Sequence, residues 1–109
     1  MGAFVVVWRF RVADDRREEF ERAYGPDGDW ALLFRKAAGY IGTTLMHAND
    51  ESGVYLTIDT WATRAAFASF REEWRNEYST LDVRCSVLTT EESKIGEFET
   101  VGTLPSGKS

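Results

Sequence analysis

Asp59 is the side chain whose setting most suggests chemistry, because it interrupts the apolar and aromatic run Gly53-Val54-Tyr55-Leu56-Thr57-Ile58-Asp59-Thr60-Trp61. Strand alternation puts it on one face with Tyr55, Thr57 and Trp61. A carboxyl buried among aromatics loses its hydration, so its pKa climbs toward neutrality. It then suits the role of general base for a phenol or enol. The competing reading is a salt bridge to Arg9, Arg11 or Arg64, which would keep the carboxylate ionised and structural. The two readings differ in whether a cation reaches it.

Other reactive residue types are isolated. His47 is the only histidine, and no Cys, Asp or Glu stands at ligand spacing around it, so no metal site is expected. It reads as a strand residue at a sheet edge or dimer surface. Cys85, the only cysteine, excludes an internal disulfide, lacks an activating neighbour and reads as a small buried hydrophobe. Glu18-Glu19, Glu72-Glu73 and Glu91-Glu92 are adjacent pairs whose members diverge around a helix, which makes them solvated faces. Residues 102–109, GTLPSGKS, match the phosphate-binding pattern G-x-x-x-x-G-K-[ST]. That loop needs a helix to follow it, and none can form after Ser109. Pro105 also removes an amide from the cradle, so the match reads as coincidence in a flexible tail.

The 109 residues suit one domain, expected over residues 1–101. A net charge of −5 argues against nucleic acid and anionic membranes as partners. No apolar run approaches the roughly 20 residues of a membrane span, and no signal peptide is visible. A cytoplasmic location is expected. Aromatics reach 14%, with Trp8, Trp30, Trp61 and Trp74 spread along the chain. That excess suits either a second buried surface or an aromatic-lined pocket.

The elements that must position Asp59 follow from periodicity. Residues 3–12 read as a strand covered on both faces. Asp15 and Glu18 stand at capping-box spacing before a helix that buries Phe20, Ala23 and Tyr24. Gly25-Pro26-Asp27-Gly28 ends it, and a short helix capped by Asp29 buries Trp30, Leu33, Phe34 and Ala37. Residues 40–48 and 54–61 form a hairpin around Asn49-Asp50-Glu51-Ser52-Gly53. Thr63 caps a long helix striped with Ala66, Phe67, Phe70, Trp74 and Tyr78. A further helical piece starts near Ser79-Thr80 and aligns Leu81, Cys85 and Leu88, and residues 94–101 read as the last strand. The order βαββαβ implies a ferredoxin-like α+β fold, an antiparallel sheet with helices on one face. The other face, with Val5, Val7, Leu56 and Ile58, would stay apolar in water, so sheet-on-sheet packing in a homodimer is expected.

The chain resembles the antibiotic biosynthesis monooxygenase family over about residues 3–101. The likeness rests on the Phe4-to-Phe10 strand, Ala38-Gly39-Tyr40-Ile41-Gly42, the Trp61 strand-to-helix junction, and Leu88-Thr89 with Glu92 and Ile95-Gly96-Glu97-Phe98-Glu99. It implies a dimeric α+β barrel with a pocket between each sheet and its own helices. Carried over, Phe4, Val6, Trp8 and Phe10 face that pocket, as do Tyr55, Thr57, Asp59 and Trp61, and Phe67, Phe70 and Trp74 close it.

At the positions where the family's anthrone oxygenases keep asparagine, tyrosine and arginine, this chain has Thr57, Phe67 and Leu81, with Arg75 and Arg84 nearby. Haem-degrading members use a strand asparagine, a helical tryptophan and a later histidine. Here Trp8 and Phe70 stand at the first two, and no histidine lies between Asn76 and Leu81. The resemblance therefore implies a cofactor-independent monooxygenase of a small quinol- or anthrone-like aromatic. Asp59 and Trp61 are expected nearest the chemistry, with Trp8, Phe10, Tyr55, Thr57, Phe67, Phe70 and Trp74 around the substrate. Two rivals stay open: a non-catalytic module binding a hydrophobic metabolite, and a structural dimer whose aromatics fill the core.

Overall fold

Runs rich in β-branched and aromatic residues form the strands, and the amphipathic segments between them form helices. A computed structural model describes residues 2–102. Its elements are β1 (Phe4–Arg11), α1 (Arg17–Tyr24), α2 (Asp29–Phe34), β2 (Tyr40–His47), β3 (Val54–Trp61), α3 (Arg64–Glu73), α4 (Arg75–Cys85) and β4 (Glu91–Glu99). The sheet order is β2-β3-β1-β4 with every neighbour antiparallel. This is the expected ferredoxin-like α+β arrangement. The phosphate-loop match falls on residues 102–109 and so lies almost wholly outside the described residues. Among the described residues, no helix is long and apolar enough to cross a membrane.

The two sheet faces differ as alternation requires. Phe4, Val6, Phe10, Tyr55, Thr57, Asp59 and Trp61 are buried beneath the helices. Val5, Val7, Leu56 and Ile58 on the opposite face are only half-buried. Two bulges reset this alternation. One leaves Ile41 without a partner between the Tyr40–Trp61 and Gly42–Thr60 pairs. The other leaves Ile95 unpaired, since Val7 faces Gly96 while Trp8 faces Lys94. Beyond that second bulge the parity of β4 flips, so Glu92 stands opposite Phe10 on the helix side.

Several boundaries depart from expectation. Thr63 does cap α3, its Oγ1 accepting the Ala66 N–H at 3.0 Å. Asp15 caps nothing: a 3₁₀ turn over Asp14–Arg16 comes first, and α1 has no side-chain cap. Asp29 is the first residue of α2 rather than its cap, and its carboxylate accepts from Arg84 at 2.7 Å. That pair ties α2 to α4. The long helix breaks at Trp74 (φ −110°, ψ 29°) rather than near Ser79. The break lets Phe70 pack on Trp61 while Tyr78 packs on Trp30. β4 begins at Glu91, ahead of residue 94, because Thr90 bonds the Arg11 carbonyl and Arg9 and Arg11 neutralise Glu91.

Gly39 follows α2 with φ +94°, where a Cβ would come within 2.7 Å of Ala66 Cβ. Only glycine fits that turn into β2 without strain.

Candidate active site

Asp59 lies in the middle of β3, and the hairpin register sets Thr43 of β2 directly across from it. Thr43 Oγ1 donates to Asp59 Oδ1 at 2.7 Å. With its proton engaged there, the same Thr43 oxygen accepts from the Tyr40 hydroxyl at 2.6 Å. Asp59 is 9% exposed, and among the described residues no arginine or lysine pairs with it. Arg9 and Arg11 pair with Glu51 and Glu91, and Arg64 with Glu97. Burial therefore prevails: it pushes the Asp59 carboxyl up to about 6, with the Thr43 hydrogen bond pulling the other way.

A small cavity of about 50 Å³ opens above this carboxyl. Trp8 and Phe10 of β1, Thr57 and Asp59 of β3 and Thr43 of β2 form its sheet side. Tyr24, Trp30 and Phe34 come from α1 and α2, and Tyr78 and Asp82 from α4. Glu92 reaches the mouth from β4, placed there by the bulge at Ile95. Burial raises the Glu92 pKa, and the negative charge of Asp82 raises it further. Trp30 is 8% exposed, and its indole N–H finds no hydrogen-bond partner among the described residues.

Of the residues expected around a substrate, Trp8, Phe10, Thr57 and Asp59 meet in this cavity. The others lie elsewhere. Trp61 is fully buried against Phe34, Tyr40, Phe67 and Phe70, with centroids 5.2–5.5 Å away. Phe67 packs between Phe4 and Trp61, tilted to the first ring and edge-on to the second. Tyr55 turns toward α1, where its hydroxyl accepts from Arg17 Nε at 3.0 Å and donates to Glu21. Trp74 sits beneath Lys36, 5.2 Å from the ammonium. The α3 stripe seals one end of the cleft, so the open space shifts toward α2 and α4.

Tyr24, Trp30, Phe34, Thr43, Tyr78, Asp82 and Glu92 complete the wall without having been singled out as site residues. Thr43 was recoverable by counting the hairpin register back from Tyr55 to His47. Glu92 was not, because its orientation depends on a bulge. His47 is exposed at the end of β2, an edge strand. Cys85 is buried, and desolvation raises its thiol pKa. Among the described residues, no three His, Cys, Asp or Glu converge to hold a metal ion.

Residues 3–78, most of the strand and helix framework around this cavity, match the family described as antibiotic biosynthesis monooxygenase. The chain belongs to that family. Among solved structures it resembles SnoaB, a cofactor-independent oxygenase from Streptomyces nogalater, at 23% identity and a TM-score of 0.68 over 96% of this chain and 99% of that one. It also resembles Rv0793 from Mycobacterium tuberculosis, at 15% identity and a TM-score of 0.69 over 94% and 99%. PA3566 from Pseudomonas aeruginosa aligns at 16% identity and a TM-score of 0.62 over 94% and 97%. At these identities the likeness establishes the fold. No curated protein matches.

The family's oxygenase positions can now be located. Thr57 lies in the cavity wall, whereas Phe67 and Leu81 belong to the packed interior. Arg75 pairs with Glu72 and Arg84 with Asp29, and neither reaches the cavity. A monooxygenase-family scaffold is thus present, with the Asp59 carboxyl at its pocket floor.

Proposed function

We propose that this protein is a cofactor-independent monooxygenase of a small, electron-rich aromatic of the quinol or anthrone type. Asp59 acts as general base. The observation that carries this reading is a carboxyl with no cationic partner among the described residues, raised to about 6, on the floor of an aromatic cavity. Asp59 removes a proton from the bound phenol or enol. The resulting carbanion reduces O₂, and the peroxide formed at the same carbon collapses to a carbonyl and water. A methylene plus O₂ gives a ketone plus water, so one oxygen atom enters the substrate and the other leaves as water. Thr43, with Tyr40 behind it, holds Asp59 in place, and the aromatic wall keeps bulk water from the anion.

Oxygen uptake with anthrone and 1,4-dihydroxynaphthalene tests this directly. Activity is expected to rise with pH through about 6, and Asp59→Asn to lose about 10²- to 10⁴-fold. Equal uptake by the variant would overturn the role of Asp59. A second reading, a binding module without turnover, is favoured by Thr57, Phe67 and Leu81 at the family's oxygenase positions. It is expected to bind the same aromatics with no oxygen consumed in either protein.

The homodimer belongs to the same proposal. Val5, Val7, Leu56 and Ile58 stay half-buried on the sheet face away from the helices, and exposed Phe98 stands beside Val5. Light scattering is expected to give twice the 12.4 kDa chain mass, and Val7→Asp to reduce it to one chain.

A further inference from the structure

The charge around the cavity is one-sided. Asp59, Asp82 and Glu92 line it, and among the described residues no lysine, arginine or histidine does. Nearby guanidiniums stay outside it: Arg71 covers the Tyr78 ring at 4.2 Å without lining the cavity, Arg84 pairs with Asp29, and Arg9 and Arg11 pair with Glu51 and Glu91. Asp59, buried on the floor, accepts from Thr43 at Oδ1, and among the described residues no donor reaches Oδ2. Trp8, Trp30 and Tyr78 offer aromatic surfaces to whatever enters. Carboxylates at a mouth with π-faces beneath them form the setting in which an organic cation binds.

We propose that the cavity takes an aromatic molecule bearing a protonated amine or quaternary ammonium, with the cation held at the mouth by Asp82 and Glu92. The proposal rests on the oxygenase reading and deepens it by naming the substrate class. Deprotonation by Asp59 creates an anion in a cavity that supplies no positive charge to receive it. A cationic substituent on the same molecule provides that charge, so the bound species is a zwitterion rather than a net anion. An acidic substrate would instead meet three carboxylates as it entered.

The test uses three naphthalenes of one shape: 1-naphthylmethylammonium, 1-naphthalenemethanol and 1-naphthoate. Binding of each is measured by calorimetry at low salt and a pH near 7.5. The ammonium is expected to bind about tenfold more tightly than the naphthoate, with the alcohol between them. Raising the salt is expected to narrow the gap. The double variant Asp82→Asn/Glu92→Gln, changed at two exposed positions, is expected to bring the ammonium-to-alcohol ratio close to one, with alcohol binding reporting that the cavity is intact. Equal binding of all three probes, or tighter naphthoate binding, would overturn the cation preference and leave the oxygenase reading standing. Failure of all three to bind would overturn the cavity as a ligand site, and both readings with it.

Discussion

At one end of the space beneath the helices, Trp61 is enclosed by Phe34, Tyr40, Phe67 and Phe70, and no solvent reaches it. At the other end, Trp8, Trp30 and Tyr78 stand around an opening floored by Thr57 and Asp59. Both ends are built from tryptophan, tyrosine and phenylalanine, so residue type does not separate core from pocket. Backbone irregularities do. The break at Trp74 sends α3 onto Trp61 and carries α4 toward Trp30, and the bulge at Ile95 turns Glu92 to the mouth. The closed end supplies stability, and the open end is free to hold a desolvated ionisable group.

Substitutions should affect the two ends unequally. Trp61→Ala removes the centre of the closed end and is expected to cost about 3–5 kcal/mol of unfolding free energy, measured by denaturant titration. A loss below about 1 kcal/mol would mean that this end is as loosely packed as the other.

Asp59→Asn is expected to act in the opposite direction. The folded carboxyl holds its proton up to about 6, against an ordinary 3.8. Its contribution to stability is therefore full below about pH 4 and lost as pH rises through about 6. Asparagine never ionises, so the variant should be more stable near pH 7 by up to about 3 kcal/mol. The two proteins should converge near pH 4. Thermal melts across that range check the sign, and a variant less stable near pH 7 would show that the carboxylate is well paired.

Gly39→Ala strains the turn into β2 and pushes on Ala66. A loss of about 1–3 kcal/mol is expected, with ligand binding at the open end little changed. The smallest effect on stability should come from Thr43→Val. Its hydroxyl donates to the Asp59 carboxylate and so favours the charged form. Removing it should move the acidic limb of the pH–rate profile to higher pH, whereas a limb that stays in place would take Thr43 out of the site.

Much of the frame was legible because it follows from alternation and caps. The β3 strand, its buried face and the Thr63 cap could all be read from neighbouring residues. The site was only half legible. Asp59 and Thr57 belong to a regular strand, and Trp8 and Phe10 share a parity on β1, so four wall residues emerged. Trp30 and Tyr78 escaped because how α2 and α4 meet depends on tertiary packing, which no local pattern encodes. Trp61 was placed nearest the chemistry for its position at the junction, yet four aromatic neighbours turn that position into the middle of the core.

The four tryptophans allow the contrast between the two ends to be observed directly. Each indole N–H gives its own signal in a proton–nitrogen correlation spectrum, and 1-naphthalenemethanol can be titrated in while all four are followed. The signals of Trp8 and Trp30 should move together and saturate, while that of Trp61 stays in place. Movement of Trp61, with Trp8 and Trp30 unchanged, would put the ligand at the closed end and would contradict a pocket at the open one.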